Sequence, residues 1–140
     1  MQNLVKSVLG AICLALVLLP LPAKAQKGQD TATAAACSGI SVYTSSPQVT
    51  RGYNIGIVAM VVNCSSAKQR ITVEIHSVSA CGVESAIGYN RVALNPGQSI
   101  QVTVGYPIPT DACPGVYTVT ATASSTKTTL SSSTTTFTVL

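Results

Sequence analysis

The chain has 140 residues, of which 46% are hydrophobic and only 9% charged, so its length and composition suit one small domain with a modest core. Its formal net charge of +4 comes without a basic cluster, which excludes the charge pattern of a nucleic-acid-binding protein. A single histidine and four acidic residues leave little material for a metal site or for acid-base catalysis.

Residues 1–25 have the pattern of a secretory signal peptide. Lys6 precedes an apolar run from Val8 to Leu19, and Ala23-Lys24-Ala25 provides the small residues of a cleavage site. The apolar run is shorter than a bilayer-spanning helix, and no second hydrophobic stretch follows that could stop transfer. We therefore predict an exported chain, periplasmic or extracellular, with no membrane span after the signal is removed.

Residues 26–36, QKGQDTATAAA, contain no bulky apolar side chain and no periodic pattern, so we predict a flexible leader.

Because Lys6 and Lys24 fall in the predicted signal, the rest of the chain has six basic residues against four acidic ones. This near-neutral balance gives no strong attraction to anionic lipid. The folded domain is predicted to cover residues 37–140.

From residue 37 onward, short runs rich in Val, Ile, Thr and Tyr are separated by Gly, Pro, Asn and Ser, and no stretch has helical periodicity. This pattern predicts an all-β domain of about seven strands, folded as a two-sheet Greek-key sandwich. In chain order, the predicted strands are Gly39–Ser45 continued by Gln48–Arg51 after Pro47, Asn54–Cys64, Arg70–Val78, a short Val92–Leu94, Ser99–Tyr106, Gly115–Ala123 and Thr134–Leu140.

Alternation of apolar and polar residues within these strands predicts which side chains form the core, because successive side chains in a strand point to opposite faces. The threonines between the apolar positions would then face solvent, where their branched side chains suit the pleat. The side chains predicted to point inward are Ile71, Val73, Ile75, Ile100, Val102, Val104, Tyr106, Tyr117, Val119, Ala121, Ala123, Phe137 and Val139.

The Asn54–Cys64 strand departs from this alternation, since Val58, Met60 and Val62 make its second face apolar as well. A central strand whose outer face is covered by other parts of the chain would have this pattern. A face that meets a partner would have it too. The sequence leaves both interpretations open.

Two late segments each begin with a Pro-Gly turn that opens a predicted strand: LNPGQSIQVTV, residues 94–104, and ACPGVYTVTATA, residues 112–123. These two segments resemble the turns that open successive late strands in bacterial immunoglobulin-like domains of the cell-adhesion type. The resemblance covers roughly residues 38–140 and places Tyr117 at the family's inward tyrosine. It implies an immunoglobulin-like sandwich that acts as a spacer or binding module, although such domains usually occur as repeats and this chain has a single copy.

Four cysteines follow the predicted signal: Cys37, Cys64, Cys81 and Cys113. An even number in a small exported domain indicates a disulfide framework. In an immunoglobulin-like sandwich the first and second strands are antiparallel neighbours, and so are the third and sixth. The resemblance therefore implies that Cys37 pairs with Cys64 and Cys81 with Cys113, which is one of three possible pairings.

No pattern in the sequence predicts catalysis, a metal site or a cofactor. Glu74 and His76 share a strand face, but one histidine and one carboxylate are too few ligands for a closed zinc site. No G-x-S-x-G nucleophile motif occurs, and Asp111 is interpreted as a turn residue. We therefore expect a protein that is not an enzyme, binds no cofactor and contacts no nucleic acid.

Sugar binding usually uses exposed aromatic side chains, and the chain has five tyrosines but no tryptophan. Tyr89, Asn90 and Arg91, interpreted as a loop, are the best candidate ligand residues, and Tyr43 and Tyr53 are further possible platforms. Asn63-Cys64-Ser65 formally matches a glycosylation acceptor, which would matter only in a host with that machinery.

Three functions are compatible with the sequence. The favoured one is an exported, non-catalytic binding or structural module whose partner is an envelope or extracellular protein or polysaccharide. The second is a fibre or pilus-like subunit that assembles by strand addition, with an edge strand or residues 26–36 completing a neighbour's sheet. The third is a carbohydrate-binding module.

Overall fold

The computed structural model describes residues 37–126 and 128–140, so the predicted signal peptide and leader lie outside the described residues. Two β-sheets pack face to face around one core, and this confirms the prediction of an all-β, immunoglobulin-like sandwich. The part of the chain that is described contains no helix long and apolar enough to cross a membrane. The strands are β1 (Ser38–Thr44), β2 (Gln48–Val49), β3 (Asn54–Asn63), β4 (Gln69–Val78), β5 (Glu84–Leu94), β6 (Ser99–Pro107), β7 (Gly115–Ser125) and β8 (Thr128–Val139).

The smaller sheet has the strand order β1-β3-β6, and the larger one has the order β2-β8-β7-β4-β5. Neighbouring strands are antiparallel except for the two-residue strand β2, which pairs in parallel with the end of β8. The predicted first strand is therefore two strands. After the break at Ser45–Pro47, the chain crosses from the smaller sheet to the larger one.

Strand β5 is the largest difference from the sequence prediction, which placed only Val92–Leu94 in a strand. A β-bulge shifts the β4–β5 register between Ile75 and His76, and this interrupts the alternation that would have identified β5. Gly88 faces the core in this stretch, and a Cβ there would lie 2.8 Å from Val104 Cγ2. The inner face thus excludes a bulky side chain at the position where alternation would require one.

The core side chains lie where alternation predicted them in β4 and β7, because Ile71, Val73, Ile75, Val119 and Ala121 are all fully buried. The rings of Tyr117 and Phe137 pack against each other with their centroids 5.3 Å apart. Strand β6 follows the prediction less closely. Val102 is buried, but Ile100, Val104 and Tyr106 are half-buried because β6 is an edge strand.

Each of the two turns that carry the family resemblance contains a glycine with a positive φ angle. Gly97, in Asn95-Pro96-Gly97, has φ of 73°, a conformation that glycine adopts without steric cost. Gly115, which opens β7, has φ of 128°, and a Cβ there would lie 2.9 Å from the Ala80 Cβ. The backbone conformation therefore favours glycine at both turns, and the Ala80 side chain also excludes a Cβ at Gly115.

Both predicted disulfides are present. Cys37 and Cys64 have Cα atoms 5.2 Å apart and link the start of β1 to the residue after β3. Cys81 and Cys113 have Cα atoms 6.0 Å apart and link the β4–β5 turn to the segment before β7. The two bonds lie at opposite ends of the sandwich, which are called the Cys37–Cys64 end and the Cys81–Cys113 end below.

A network of buried amides accompanies the first of these disulfides. Asn63 is fully buried, and its Nδ2 donates to the carbonyl oxygens of Ala67 at 2.8 Å and Leu94 at 2.9 Å. Its Oδ1 accepts a hydrogen bond from the Ser65 N–H at 3.0 Å. The buried Gln69 amide accepts from the Cys37 N–H at 2.9 Å and donates to the Cys37 carbonyl at 3.2 Å. Asn63 is therefore a structural residue rather than an accessible glycosylation acceptor.

The sandwich is closed along one side and open along the other. On the closed side, the Ser131 and Ser38 hydroxyls lie 3.1 Å apart, and the Val42 N–H donates to Ser133 Oγ at 3.2 Å. These contacts join β8 of the larger sheet to the outer edge of β1. On the open side, β5 and β6 are the edge strands of their sheets.

Candidate functional site

The three candidate ligand residues lie within strand β5, not in a loop as the sequence suggested. Tyr89 and Arg91 lie opposite Glu74 and Thr72 of β4 and face solvent, whereas Asn90 lies opposite the buried Val73 and is half-buried. The structure therefore brings Tyr89 and Arg91 together on one surface and separates Asn90 from them.

That surface is the outward side of the larger sheet, called the polar face here. Because β7, β4 and β5 are neighbours, their outward side chains form rows across the strands, such as Tyr89, Glu74 and Thr122. Threonine side chains dominate the part built from β7 and β8, where the Thr120 and Thr134 hydroxyls lie 3.3 Å apart. The polar face includes Arg70, Thr72, Glu74, His76, Glu84, Tyr89, Arg91, Thr118, Thr120, Thr122, Ser124, Thr134 and Thr136.

An open depression of about 470 Å³ crosses β4, β5 and β7 on the polar face. Its position follows from the register, since Arg91 pairs with Thr72, and Thr72 pairs with Ser124. We call it the β4–β5–β7 depression. Its lining residues are Arg70, Thr72, Glu74, Tyr89, Arg91, Ser124 and Thr126.

The electrostatics of the depression are set by two guanidinium groups. Arg91 Nη2 donates a hydrogen bond of 3.1 Å to the Tyr89 hydroxyl, which orients the arginine along the tyrosine. Among the residues that the structure describes, neither Arg70 nor Arg91 has a carboxylate oxygen within 4.0 Å. An arginine is a cation that offers five N–H donors, so the depression can accept an anionic group.

Glu74 and His76, which the sequence placed on one strand face, do share the polar face but do not pair with each other. His76 Nδ1 instead lies 3.4 Å from Glu84 Oε1 of β5, and both side chains are well exposed to water. An exposed pair of this kind contributes little to stability. No cluster of three or more metal-ligating side chains occurs in the described ranges.

The outward side of the smaller sheet, called the apolar face here, has a different character. Tyr43, Val58, Met60 and Val62 lie on it in neighbouring positions of β1 and β3. Val58 is buried between neighbours, but Met60 is 42% exposed and Tyr43 is 44% exposed. Part of this face is therefore open to solvent in the described structure.

Asp111 is exposed in the segment before β7, as expected for a turn residue. The nearby Tyr117 is buried, and this burial raises the pKa of its phenol above the usual value of 10.0, with a smaller contribution from Tyr106. A phenol in such an environment stays protonated and neutral at physiological pH. It is a core side chain rather than part of a reactive site.

No protein-family model and no curated protein matches the chain. Solved structures do match it. A CARDB domain from Pyrococcus furiosus, solved in complex with di-metal ions, is similar with a TM-score of 0.61 and 13% identity, over 75% of this chain and 89% of that one. At this identity the likeness shows a shared β-sandwich fold. The cell-adhesion type of the resemblance stays a prediction.

Two enzymes contain a similar sandwich as a minor part of their length. A β-glucosidase from Erythrobacter marinus matches with a TM-score of 0.62 and 13% identity, over 75% of this chain but 16% of the enzyme. The alkylpurine DNA glycosylase AlkC from Pseudomonas fluorescens matches with a TM-score of 0.58 and 14% identity, over 72% of this chain and 30% of the enzyme. This chain thus spans a small share of either enzyme.

Sequence reasoning missed Arg70, Ser124 and Thr126 as neighbours of Tyr89. Alternation in β4 does place Arg70, Thr72 and Glu74 on one face, so part of the signal was available. Joining that face to β5 and β7 requires the strand order and register, and neither is encoded in a local pattern.

Proposed function

We propose that the chain is an exported, non-catalytic binding module of the cell envelope or extracellular space, and that it binds its partner through the β4–β5–β7 depression. The observation that carries this proposal is the exposed Tyr89 ring, which lies beside Arg91 on β5, with Arg70 on the same face of the neighbouring strand β4. Tyrosine and arginine are the residues that most often anchor binding surfaces, because they offer a large contact area with few rotatable bonds or a rigid set of donors.

The composition of the depression supports a role without catalysis. It contains one carboxylate, Glu74, whereas hydrolysis of a glycosidic bond by acid-base catalysis uses a pair. Its aliphatic hydroxyls belong to Thr72, Ser124 and Thr126. A hydroxyl nucleophile needs a neighbouring base, and the single histidine of the chain is not among the lining residues.

The two disulfides support export, since such bonds persist in oxidising compartments and are rare in the cytosol. They are consistent with the secretory pattern of residues 1–25. The proposed location is the periplasm or the extracellular space.

Binding by the depression can be tested with two matched tyrosine variants. Tyr89→Ala removes the ring from the depression, and Tyr53→Ala removes a ring of similar exposure, 68% against 62%, that is not among the lining residues. Labelled protein is titrated against polysaccharide and protein fractions of envelope and culture fluid. We expect saturable binding that is lost in Tyr89→Ala and kept in Tyr53→Ala. No saturable binding, or equal binding by both variants, would contradict the proposal.

The open side of the sandwich favours strand addition as a second candidate function. The edge strand β5 spans 11 residues and the edge strand β6 spans nine, and an exposed edge of this length is a template for another strand. The bulge in β5 and the charged Glu84 and Arg91 are features that protect edges against such pairing. They are the reason that this function ranks second.

Strand addition predicts that the protein forms a concentration-dependent series of assemblies. Deleting residues 26–36, the candidate donor segment, should convert the series to monomer in size-exclusion chromatography with light scattering. A monomer before and after the deletion would exclude the second candidate, and it would leave the binding proposal unaffected.

A further inference from the structure

The charges that line the β4–β5–β7 depression are unbalanced. Arg70 and Arg91 are two of the three arginines in the chain, and among the described residues Glu74 is the one carboxylate in the lining. Within the described residues, no carboxylate oxygen lies within 4.0 Å of either guanidinium. Arg91 uses one donor on the Tyr89 hydroxyl and retains others. The guanidinium fork matches the two oxygens of a carboxylate, so the depression is suited to a ligand that carries this group.

The remaining lining groups restrict the rest of the ligand. Tyr89 is 62% exposed, so its ring is available for stacking. Thr72, Ser124 and Thr126 supply hydroxyls, and Glu74 supplies a hydrogen-bond acceptor. Among the described residues, no aliphatic side chain lines the depression, so its apolar surface comes from the Tyr89 ring and from the methyl and methylene groups of the threonines and arginines. A sugar ring offers both a C–H face for the tyrosine and hydroxyls for the polar groups.

The shape favours a polymer over an isolated small molecule. The depression is shallow and open along the sheet, and it crosses three neighbouring strands. Because such strands lie about 4.8 Å apart, the surface is roughly 10 Å wide and can follow an extended chain of sugar rings. A small ligand would bury only part of its surface here, whereas small-molecule sites are usually concave enough to bury most of it.

We infer that the depression binds a polysaccharide whose sugars carry carboxylates, that is, a uronic-acid polymer. Tyr89 stacks against a ring, and Arg70 and Arg91 bind the carboxylates of that ring or of an adjacent one. Glu74 and the three hydroxyls hydrogen-bond to the sugar hydroxyls. This inference rests on the proposed function, since it names the ligand class of the same site.

Three polymers test separately whether the sugar ring and the carboxylate are recognised. Polygalacturonate has the ring and the carboxylate, its fully methyl-esterified form has the ring without the charge, and polyacrylate has the charge without the ring. We expect polygalacturonate to bind roughly tenfold or more tighter than its methyl ester, which corresponds to the loss of at least one charge-assisted hydrogen bond. It should also bind roughly tenfold tighter than polyacrylate, which offers Tyr89 no sugar ring and the polar groups no hydroxyls. Binding should weaken as salt is added, because the arginines are at a solvated surface.

Matched variants of the same protein test the residues. Arg91→Gln and Arg70→Gln should each weaken polygalacturonate binding roughly tenfold, while leaving the weak binding of the methyl ester unchanged. Arg51→Gln removes the same charge from a residue outside the lining set and should leave binding within about twofold of wild type, as expected for a charge at a distance in salt. Melting temperatures within a few degrees of wild type would show that each variant is folded.

Each other outcome overturns the inference. If polygalacturonate and its methyl ester bind equally, the carboxylate is not recognised. If polyacrylate binds as tightly as polygalacturonate, the sugar ring is not recognised. An Arg51→Gln effect as large as the Arg91→Gln effect would indicate unspecific attraction. If no polysaccharide binds but Tyr89→Ala abolishes binding of another fraction, the ligand class is wrong and the proposed function survives. If Tyr89→Ala changes no binding at all, the proposed function fails as well.

Discussion

The two ends of the sandwich are each crossed by one disulfide, but different interactions hold the chain around it. At the Cys37–Cys64 end, Asn63 and Gln69 hold backbone groups through buried amides. At the Cys81–Cys113 end, the β4–β5 turn is held by Ser79, whose Oγ accepts an exposed hydrogen bond of 3.0 Å from the Val83 N–H. Backbone hydrogen bonds between Ser79 and Val83 and between Gly82 and Ser79 hold the same turn. Because water can replace an exposed side-chain partner but cannot reach a buried one, we expect loss of a side-chain hydrogen bond to cost more stability at the first end.

The candidate site lies next to the Cys37–Cys64 end. Asn63 holds the Leu94 carbonyl, and Leu94 pairs with Gln69 at the point where β5 ends and β4 begins. Arg70 and Arg91 lie within three residues of that point on the same two strands. The buried side-chain hydrogen bonds of Asn63 and Gln69 thus lie at the end of the sandwich next to the surface that we propose for binding, where precise side-chain placement matters most.

Removal of either disulfide should produce the largest loss of stability. The double substitutions Cys37→Ala with Cys64→Ala, and Cys81→Ala with Cys113→Ala, open loops with sequence separations of 27 and 32 residues. A chain-entropy argument gives a loss of about 3–4 kcal/mol for each. Urea unfolding of both variants should therefore give similar values. A much larger loss at the Cys37–Cys64 end would show that the disulfide, not the amide network, is what fixes that end.

Substitution of Asn63 tests the amide network directly. Asn63→Ala leaves the Ala67 and Leu94 carbonyls without their donor, and we expect a loss of about 2–4 kcal/mol in the free energy of unfolding. Ser79→Ala removes the exposed hydrogen bond at the other end and should cost no more than about 1 kcal/mol. Denaturant unfolding of both variants measures the difference. Equal losses would mean that the two ends do not differ as described.

Substitution of Ser77 should stabilise the protein, unlike the substitutions at the Cys37–Cys64 end. It pairs with Ser85 and Val119 near the Cys81–Cys113 end, and among the described residues its buried Oγ has no hydrogen-bond partner. Ser77→Ala should therefore stabilise the protein by about 1 kcal/mol, since an unsatisfied buried hydroxyl is removed. Ser65→Ala at the other end removes a bonded hydroxyl and should destabilise it. A loss of melting temperature in Ser77→Ala would show that the hydroxyl has a partner.

The smallest effect is expected at alkaline pH, from Tyr117 near the Cys81–Cys113 end. Its pKa is raised in the folded state, so the folded protein retains the phenol proton at a pH where the unfolded chain has lost it. This contribution to stability is complete below pH 10 and is lost as the pH rises through the folded-state pKa. Tyr117→Phe should therefore lose less melting temperature than wild type between pH 9 and pH 11. Parallel pH profiles would contradict a raised pKa.

Part of the fold could be predicted because local patterns decide it. The alternation in β4 and β7 predicts their buried faces, since a period of two leaves one arrangement that buries the apolar set. The turns at Asn95-Pro96-Gly97 and Pro114-Gly115 are encoded by residues that the backbone requires. The disulfide pairing followed from the sandwich topology that the family resemblance implied.

The length of β5 could not be predicted from the sequence, because the register and composition of β5 depend on its contacts with β4 and with β6 of the opposite sheet. Gly88 is required by Val104 of the opposite sheet, and the bulge is a property of the β4–β5 pair. The first six residues of β8 contain one apolar side chain, Leu130, and pair with β7 rather than form an alternating core face. The sequence of a single segment does not contain the register or the contacts between strands.

The sequence by itself determined the all-β class, the inward faces of the central strands and the presence of four cysteines available to pair, because these depend on residue type and on a period of two along the chain. Only the tertiary structure decided which outward side chains share a surface. Tyr89 and Arg91 meet Thr72, Glu74 and Ser124 through the hydrogen-bonded register of β5 with β4 and of β4 with β7, which is distant in sequence, and the candidate site exists only through that register.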